Sequence, residues 1–370
     1  MLTRFYADNF RCLVNFEFRP PAVSVLVGRN GSGKSTLLEG LKSVRDFLFG
    51  TQDVAQIFGF SKTFWETRST QKFELEIEAK PGESYLYLLE LDHSDTQSPR
   101  ILSEVLTQGG RPLFRLDGGR VQLYNDENEA KGESFEFSTR TSALTSFAVR
   151  GSHVERFRAA AFGISFYSFD PRRMEWSSKS EARALAQDGS NLPSWLRTVS
   201  QENPLALSQL TESLRRVLSG FEQLKFRDMG DSKLLQIWLA GKARSSHSAT
   251  LVNLSDGERC LVALYTVLHT LVQPAGTLIF DEPDNFVALD EIEPWVHALR
   301  DAVAEAKVQV IVASHHPDIV DYLAADDAFV LDRPSNDIAR IAPFRVDRSK
   351  GVTASEELRV VLRNRSELDQ

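Results

Sequence analysis

Hydrophobic and polar positions change their period several times along the chain. Residues 71–125 alternate apolar and polar side chains, as in Phe73-Glu74-Leu75-Glu76-Ile77-Glu78, with Tyr85-Leu86-Tyr87-Leu88 following. Pro-Gly and Gly-Gly pairs punctuate the run, so it predicts antiparallel strands joined by hairpins. Residues 171–245 carry a helical period instead, clearest over Leu192–Val199 and Leu205–Leu218, bounded by Pro193, Pro204 and Gly220. Three short runs, Val23–Val27, Thr277–Phe280 and Val310–Ala313, are apolar without alternation. Such runs fit strands buried on both faces. Cys260–Val272 reads as a long apolar helix, and Thr353–Leu368 as an amphipathic terminal helix that packs onto the core.

The chemistry sits at the ends of the three apolar runs. Val23–Val27 leads into Gly28-Arg29-Asn30-Gly31-Ser32-Gly33-Lys34-Ser35, followed by a helical Thr36-Leu37-Leu38-Glu39. Glycines let the backbone curl so that its N–H groups converge on phosphates, while Lys34 supplies a point charge and Ser35 a hydroxyl for Mg²⁺. The helix start turns its positive end toward the same anion. This pattern predicts a nucleoside triphosphate site.

The second run ends in Asp281-Glu282-Pro283 and the third in Ser314-His315-His316. A carboxylate at a strand end, Asp281, can hold Mg²⁺ through water together with Ser35. Glu282 points elsewhere and can polarise an attacking water. His315 or His316 would donate a hydrogen bond to charge developing on the γ-phosphate. Leu254-Ser255-Asp256-Gly257-Glu258 is a capping box, with Ser255 accepting from the N–H of Glu258 and the Glu258 carboxylate reaching back. The same helix start is also an anion site.

These pieces, in this order, resemble ATP-binding-cassette nucleotide domains, and more narrowly the RecF, SMC and OLD group of soluble ATPases. Asn9-Phe10-Arg11 resembles the group's opening motif, and the segments Tyr167–Arg172 and Asp188–Pro193 resemble its stand-alone members. The resemblance implies an α/β fold: a P-loop NTPase with an ABC-type head, a mixed RecA-like core sheet, an antiparallel β-subdomain and an inserted helical lobe. It implies ATP and Mg²⁺ as ligands, with Arg11, Asn30, Gly31, Gly33, Lys34, Ser35 and Thr36 around the nucleotide. Asp281 and Ser35 would hold the metal, and Glu282 and His315 would be catalytic, with His316 behind His315. Ser255 and Gly257 would close the pocket of a second copy, giving a homodimer with two sandwiched nucleotides. Asp290, in Ala288-Leu289-Asp290, would communicate between the two sites. Asp256 and Glu258 replace the glycine and glutamine of the commonest signature, as is usual in the soluble group. No glutamine stands where the γ-phosphate sensor is expected, leaving Asp170, Ser168, Gln187 or a different lever.

The phosphate loop and the carboxylates stand far apart in sequence yet belong to one chemistry. The chain is therefore expected to leave its core and return. Residues 1–170 would form the first half of the core, with a β-rich part near 71–125. Residues 171–250 would form the helical lobe, 251–345 the second half of the core, and 346–370 the terminal helix. No heptads support long coiled-coil arms, and no second catalytic domain such as a nuclease module is read after the core.

Cys12 and Cys260 show no paired spacing, and no apolar leader or membrane-length run is present, so a reducing cytoplasm is expected without membrane attachment. Net charge is −8, but residues 150–250 hold 15 Lys and Arg against 10 Asp and Glu. Arg150, Arg156, Arg158, Arg172, Arg173, Arg215 and Arg216 belong to that excess. It is read first as a solvated surface, and otherwise as a nucleic-acid contact made through the phosphate backbone. Two roles follow from the resemblance. One is a switch driving a partner effector, such as a nuclease in an anti-phage or toxin-like system. The other is a DNA-repair or DNA-maintenance ATPase that binds DNA directly.

Overall fold

The structure, a computed structural model, describes all residues except 51, 125–131, 147–151, 242–245, 273–275, 324–327, 335–336, 347–350 and 369–370. The chain divides into two compact units, one of Met1–Ser165, Ala275–Thr277 and Asp326–Gln370, the other of Phe166–Pro274 and Leu278–Ala325.

In the first unit the alternating region forms antiparallel strands. Thr70–Lys80, Glu83–Asp92, Arg100–Gln108, Arg111–Asp117 and Arg120–Leu123 follow one another in an eight-stranded sheet, which Leu2–Asp8 and Phe16–Phe18 extend on one side and Phe135–Glu136 on the other. Phe73, Leu75, Ile77, Tyr85, Tyr87 and Leu89 are completely buried, as a period of two dictates for one covered face. Phe5, Phe10 and Phe58 meet Phe73 with ring centroids 5.2–6.5 Å apart, and Phe47 of the helix Lys34–Phe49 meets Phe58 at 5.8 Å. Each such ring contributes about 1.5–3 kcal/mol by burial, so this cluster fixes the helix that starts at the phosphate loop. The strand Val23–Val27 pairs in parallel with Ala328–Asp332, which in turn pairs antiparallel with Arg340–Phe344.

A carboxyl is also buried in this unit. Glu104 accepts from the Tyr87 hydroxyl at 2.9 Å, from the Ala143 N–H at 3.0 Å and from the Ser142 hydroxyl, and burial pushes its pKa up to about 7.

In the second unit residues 278–281 of the strand Thr277–Asp281 lie beside the strand Gln309–Ala313. The helix Asp256–Thr270 buries every residue from Cys260 to Leu268. Trp195, on helix Leu192–Glu202, donates to the Thr270 hydroxyl at 3.0 Å. Ser213, on helix Pro204–Val217, bonds to His269 at 2.8 Å.

The helical period read across residues 171–245 ends at Val217. Phe221–Met229 and Ser232–Ala240 form a hairpin with a two-residue Gly230-Asp231 turn, and Ser246–Thr250 and Ser177–Ser178 pair with Ser232–Ala240 at different registers. Leu235 and Ile237 are its completely buried positions. Their period of two is too short a signal to stand out beside two strongly amphipathic helices. The terminal helix runs Ala354–Leu368. Among the described residues no helix is long and apolar enough to cross a membrane.

Candidate functional site

In the first unit, the strand Val23–Val27 ends at a tight loop. Gly28 is buried, and a Cβ there would lie 2.3 Å from the Leu331 carbonyl oxygen, so the loop can back onto the neighbouring strand only through glycine. Gly31 and Gly33 adopt φ of 80° and 105°, in the left-handed region that side chains disfavour. Gly33 is the N-cap of helix Lys34–Phe49 and supplies no side-chain cap. The positive end of the helix therefore faces the loop. Lys34 is 5% exposed, and its ammonium donates to the Gly28 carbonyl at 2.6 Å and the Arg29 carbonyl at 3.4 Å. The Ser32 hydroxyl is buried with no protein partner among the described residues. Asn30 and Ser35 are exposed and Thr36 half-buried.

The opening motif forms a turn behind this loop. Asn9 and Arg11 have φ of 63° and 50°. The buried Asn9 amide holds the Arg68 and Thr70 carbonyls at 3.0 and 2.8 Å. Arg11 makes a two-point ion pair with Glu39 on the helix that follows the phosphate loop. Its guanidinium is half-exposed.

In the second unit, the carboxylates stand at the end of strand Thr277–Asp281. Glu282 adopts φ of 50°, a left-handed conformation costing on the order of 1–3 kcal/mol that surrounding bonds must hold. Its N–H donates to the Ala313 carbonyl at 2.8 Å, its carbonyl accepts from the Asn285 N–H at 3.1 Å, and its carboxylate accepts from the Asn285 amide at 2.8 Å. Asp284 accepts from the buried Ser314 hydroxyl at 2.6 Å, and Ser314 accepts from the His316 N–H at 2.9 Å. The carboxylate loop and the histidine segment are therefore tied together. His316 is buried, with Nδ1 accepting from the Asp318 N–H at 3.2 Å. His315, one position earlier, is exposed at the end of strand Gln309–Ala313.

The capping box at Ser255 forms as its residues dictate. Its hydroxyl accepts from the Glu258 N–H at 3.2 Å, and the Glu258 carboxylate accepts from the Ser255 N–H at 2.8 Å. Gly257 faces the carboxylate loop, where a Cβ would lie 2.7 Å from the Phe286 carbonyl oxygen. Arg259, invisible to motif reading, donates to the Val252, Leu254 and Pro171 carbonyls at 2.7, 3.1 and 3.1 Å. It staples the turn before Ser255 to the Tyr167–Arg172 segment. Arg172 reaches Asp256 at 3.5 Å and lies over the Phe286 ring at 5.7 Å. Asp290 is exposed in the first turn of helix Leu289–Ala306.

Of the residues considered for the missing glutamine, Ser168 and Asp170 donate through their N–H groups to the Gln187 and Asp188 carbonyls at 3.0 and 3.1 Å. The three candidates thus share one short ladder. Of the basic residues read from the sequence, Arg150 lies outside the described residues. Arg156 pairs with Glu83, Arg173 with Asp188, and Arg215 and Arg216 with Glu212.

Among the described residues no cluster of three or more His, Cys, Asp and Glu could hold a metal ion. Mg²⁺ takes one or two protein oxygens and completes its shell with water and substrate phosphates.

Solved structures with similar folds include heads of SMC proteins. One, bound to the C-terminal winged-helix domain of ScpA, has a TM-score of 0.59 at 13% identity, covering 95% of this chain and 99% of that one. The SMC head of Thermotoga maritima has 0.51 at 15% identity over 93% and 99%. The Pyrococcus furiosus Smc head, with an extended coiled coil and the C-terminal domain of ScpA bound, has 0.53 at 12% identity over 97% and 99%. At these identities the likeness shows the fold. A search of curated proteins finds no match. A family model described as "AAA domain, putative AbiEii toxin, Type IV TA system" matches residues 23–321, from the phosphate-loop strand past both histidines, and the chain belongs to this family of AAA domains.

Proposed function

We propose that the protein binds ATP with Mg²⁺, hydrolyses it, and closes as a homodimer around two nucleotides, switching a partner effector in the course of the cycle. The observation that carries this reading is the loop at Gly28–Gly33, closed on a buried Lys34 with an uncapped helix start behind it. Lys34, Gly31, Gly33 and the first helical N–H groups would hold the phosphates, and Asn30, Thr36 and Arg11 would line the nucleotide. Ser35 and Asp281 would hold the metal, which when bound neutralises charge on the phosphate oxygens. Glu282 would orient and activate the attacking water, and His315 would donate to the developing charge. Ser255 and Gly257 would cap the γ-phosphate of a second copy, with Asp290 at the same interface.

The family description, naming a putative toxin of a type IV TA system, supports the toxin-like setting of the first reading. The SMC heads, two of them solved with a ScpA domain bound, support a protein partner in general. The basic excess of residues 150–250, read first as a solvated surface, is what a second reading would use, a DNA-maintenance ATPase that holds nucleic acid through its backbone. Reduced cysteines and the lack of any membrane-length helix among the described residues fit a cytoplasmic setting. The purified chain should take up labelled ATP with Mg²⁺ and release phosphate; no uptake would overturn the proposal. A pull-down with non-hydrolysed nucleotide that enriches a nuclease supports the switch, whereas salt-sensitive DNA binding by the isolated chain supports the second reading.

A further inference from the structure

Phe64 is 87% exposed, yet the chain on either side of it is anchored. Ser61 and Thr63 are buried. The Arg11 N–H donates to the Ser61 carbonyl at 2.7 Å, the Thr63 N–H to the Asn9 carbonyl at 3.3 Å, and the Glu66 N–H to the Thr63 carbonyl at 3.2 Å. Trp65 stands edge-on to Phe64, with centroids 4.5 Å apart and planes at 88°. Arg333 lies over the Trp65 ring at 5.7 Å, and its own Nε is fixed by the Asp337 carbonyl at 2.8 Å. The result is a bare aromatic face on a held loop, beside a held guanidinium. Nothing about packing requires it, since a ring this exposed contributes little to the core.

Its place in the first unit gives it a use. The turn that anchors the Phe64 loop, residues 9–13, packs on the phosphate loop, because a Cβ at Gly33 would lie 3.3 Å from Cys12 Sγ. The segment carrying Arg333 packs there too: Gly28 abuts the Leu331 carbonyl, Gly33 abuts Ala339, and the Ala339 N–H donates to the Cys12 carbonyl at 2.9 Å. The aromatic pair is therefore held by the two segments that wall the phosphate loop.

Flat π-systems stack on such faces, and a guanidinium beside them adds cation–π attraction. We propose that Phe64, backed by Trp65 and Arg333, is the stacking platform for the nucleobase of the nucleotide whose phosphates occupy the Gly28–Ser35 loop. This rests on the nucleotide-binding reading above and adds the residues that recognise the base.

The test is calorimetric titration of the full chain with ATP and with inorganic tripolyphosphate, which carries the phosphates without a base. Phe64→Ala should weaken ATP about tenfold, the size of one lost base stack, and leave tripolyphosphate unchanged. Phe64→Trp should restore ATP affinity. Lys34→Ala should weaken both ligands. If Lys34→Ala removes binding while Phe64→Ala leaves ATP affinity intact, the platform is refuted and the phosphate site stands. Equal losses for both ligands in Phe64→Ala would also refute it, by showing damage to the loop. Absence of Lys34-dependent binding in the unaltered chain takes down both readings. If Phe64→Ala keeps ATP affinity but loses binding to a single-stranded oligonucleotide, the ring serves nucleic acid and the platform is refuted.

Discussion

The phosphate loop and the carboxylate loop, to which the proposed function gives parts of one reaction, are built by opposite means. In the first, the donors are backbone N–H groups and one buried lysine, and shape is set by glycines at close approach. In the second, the working groups are side chains that already have partners: Glu282 with Asn285, Asp284 with Ser314, and Ser255 with Glu258. The shape of a loop built from backbone is set before its ligand arrives, and only Lys34 has to leave its partners, the Gly28 and Arg29 carbonyls. Side chains engaged with one another would have to exchange partners to act, so under the proposed function the second region is where a second copy, or the nucleotide itself, would control the rate. Binding and turnover should therefore separate cleanly when the two regions are altered in turn.

Glu282→Gln should have the largest effect. Removing a general base typically costs about 10²–10⁴-fold in rate, while the amide keeps the size needed to pair with Asn285. Phosphate release should fall by that factor with ATP binding retained, and a larger species should accumulate on light scattering as the closed dimer fails to reset. Turnover at the unaltered rate would remove Glu282 from its role and erase the contrast between the regions.

Lys34→Ala comes next and breaks the comparison from the other side. It deletes charge-assisted bonds to phosphate, each about 1.5–3 kcal/mol, so ATP affinity should drop at least about a hundredfold in equilibrium dialysis. Gly28→Ala should show its effect in stability instead. Its Cβ would press on the Leu331 carbonyl, and overpacking of this kind costs about 1–3 kcal/mol, readable as a lower thermal midpoint without any nucleotide present.

The same contrast explains what could be read from the sequence. The phosphate loop is contiguous and its geometry local, so Gly28–Ser35 with an apolar strand before and a helix after was legible at once. So were the capping box at Ser255 and the alternating strands from Phe73 onward, each set by residues a few positions apart. The staple made by Arg259 was not, because its acceptors at Val252, Leu254 and Pro171 are carbonyls, which carry no residue signature. The Asp284 to Ser314 bond and the Trp65 to Arg333 contact each join distant segments and exist only after folding. The hairpin Phe221–Ala240 was hidden differently, its few buried positions overshadowed by the helices before it.

The smallest expected effect probes the support of the preformed pocket. His93 is 2% exposed, and its Nε2 pairs at 3.0 Å with the Gln71 side-chain oxygen. Gln71 in turn donates to the Asn9 carbonyl at 2.8 Å, in the turn behind the phosphate loop. This pairing needs the proton on Nε2, and Nδ1 is buried with no acceptor among the described residues. A second proton would enter an apolar surrounding next to Lys62. Burial first, and Lys62 second, lower the pKa from 6.5 to about 4, against a smaller opposing effect of Asp92. The folded state thus binds fewer protons than the unfolded chain between those values, so stability is full above pH 6.5 and falls as pH drops toward 4. The loss attributable to this group accumulates across that interval. His93→Gln, which cannot take up a proton, should flatten that part of the thermal-midpoint profile between pH 7 and 4.5 relative to the unaltered chain. Identical profiles would mean that acid does not reach the phosphate loop through its rear support.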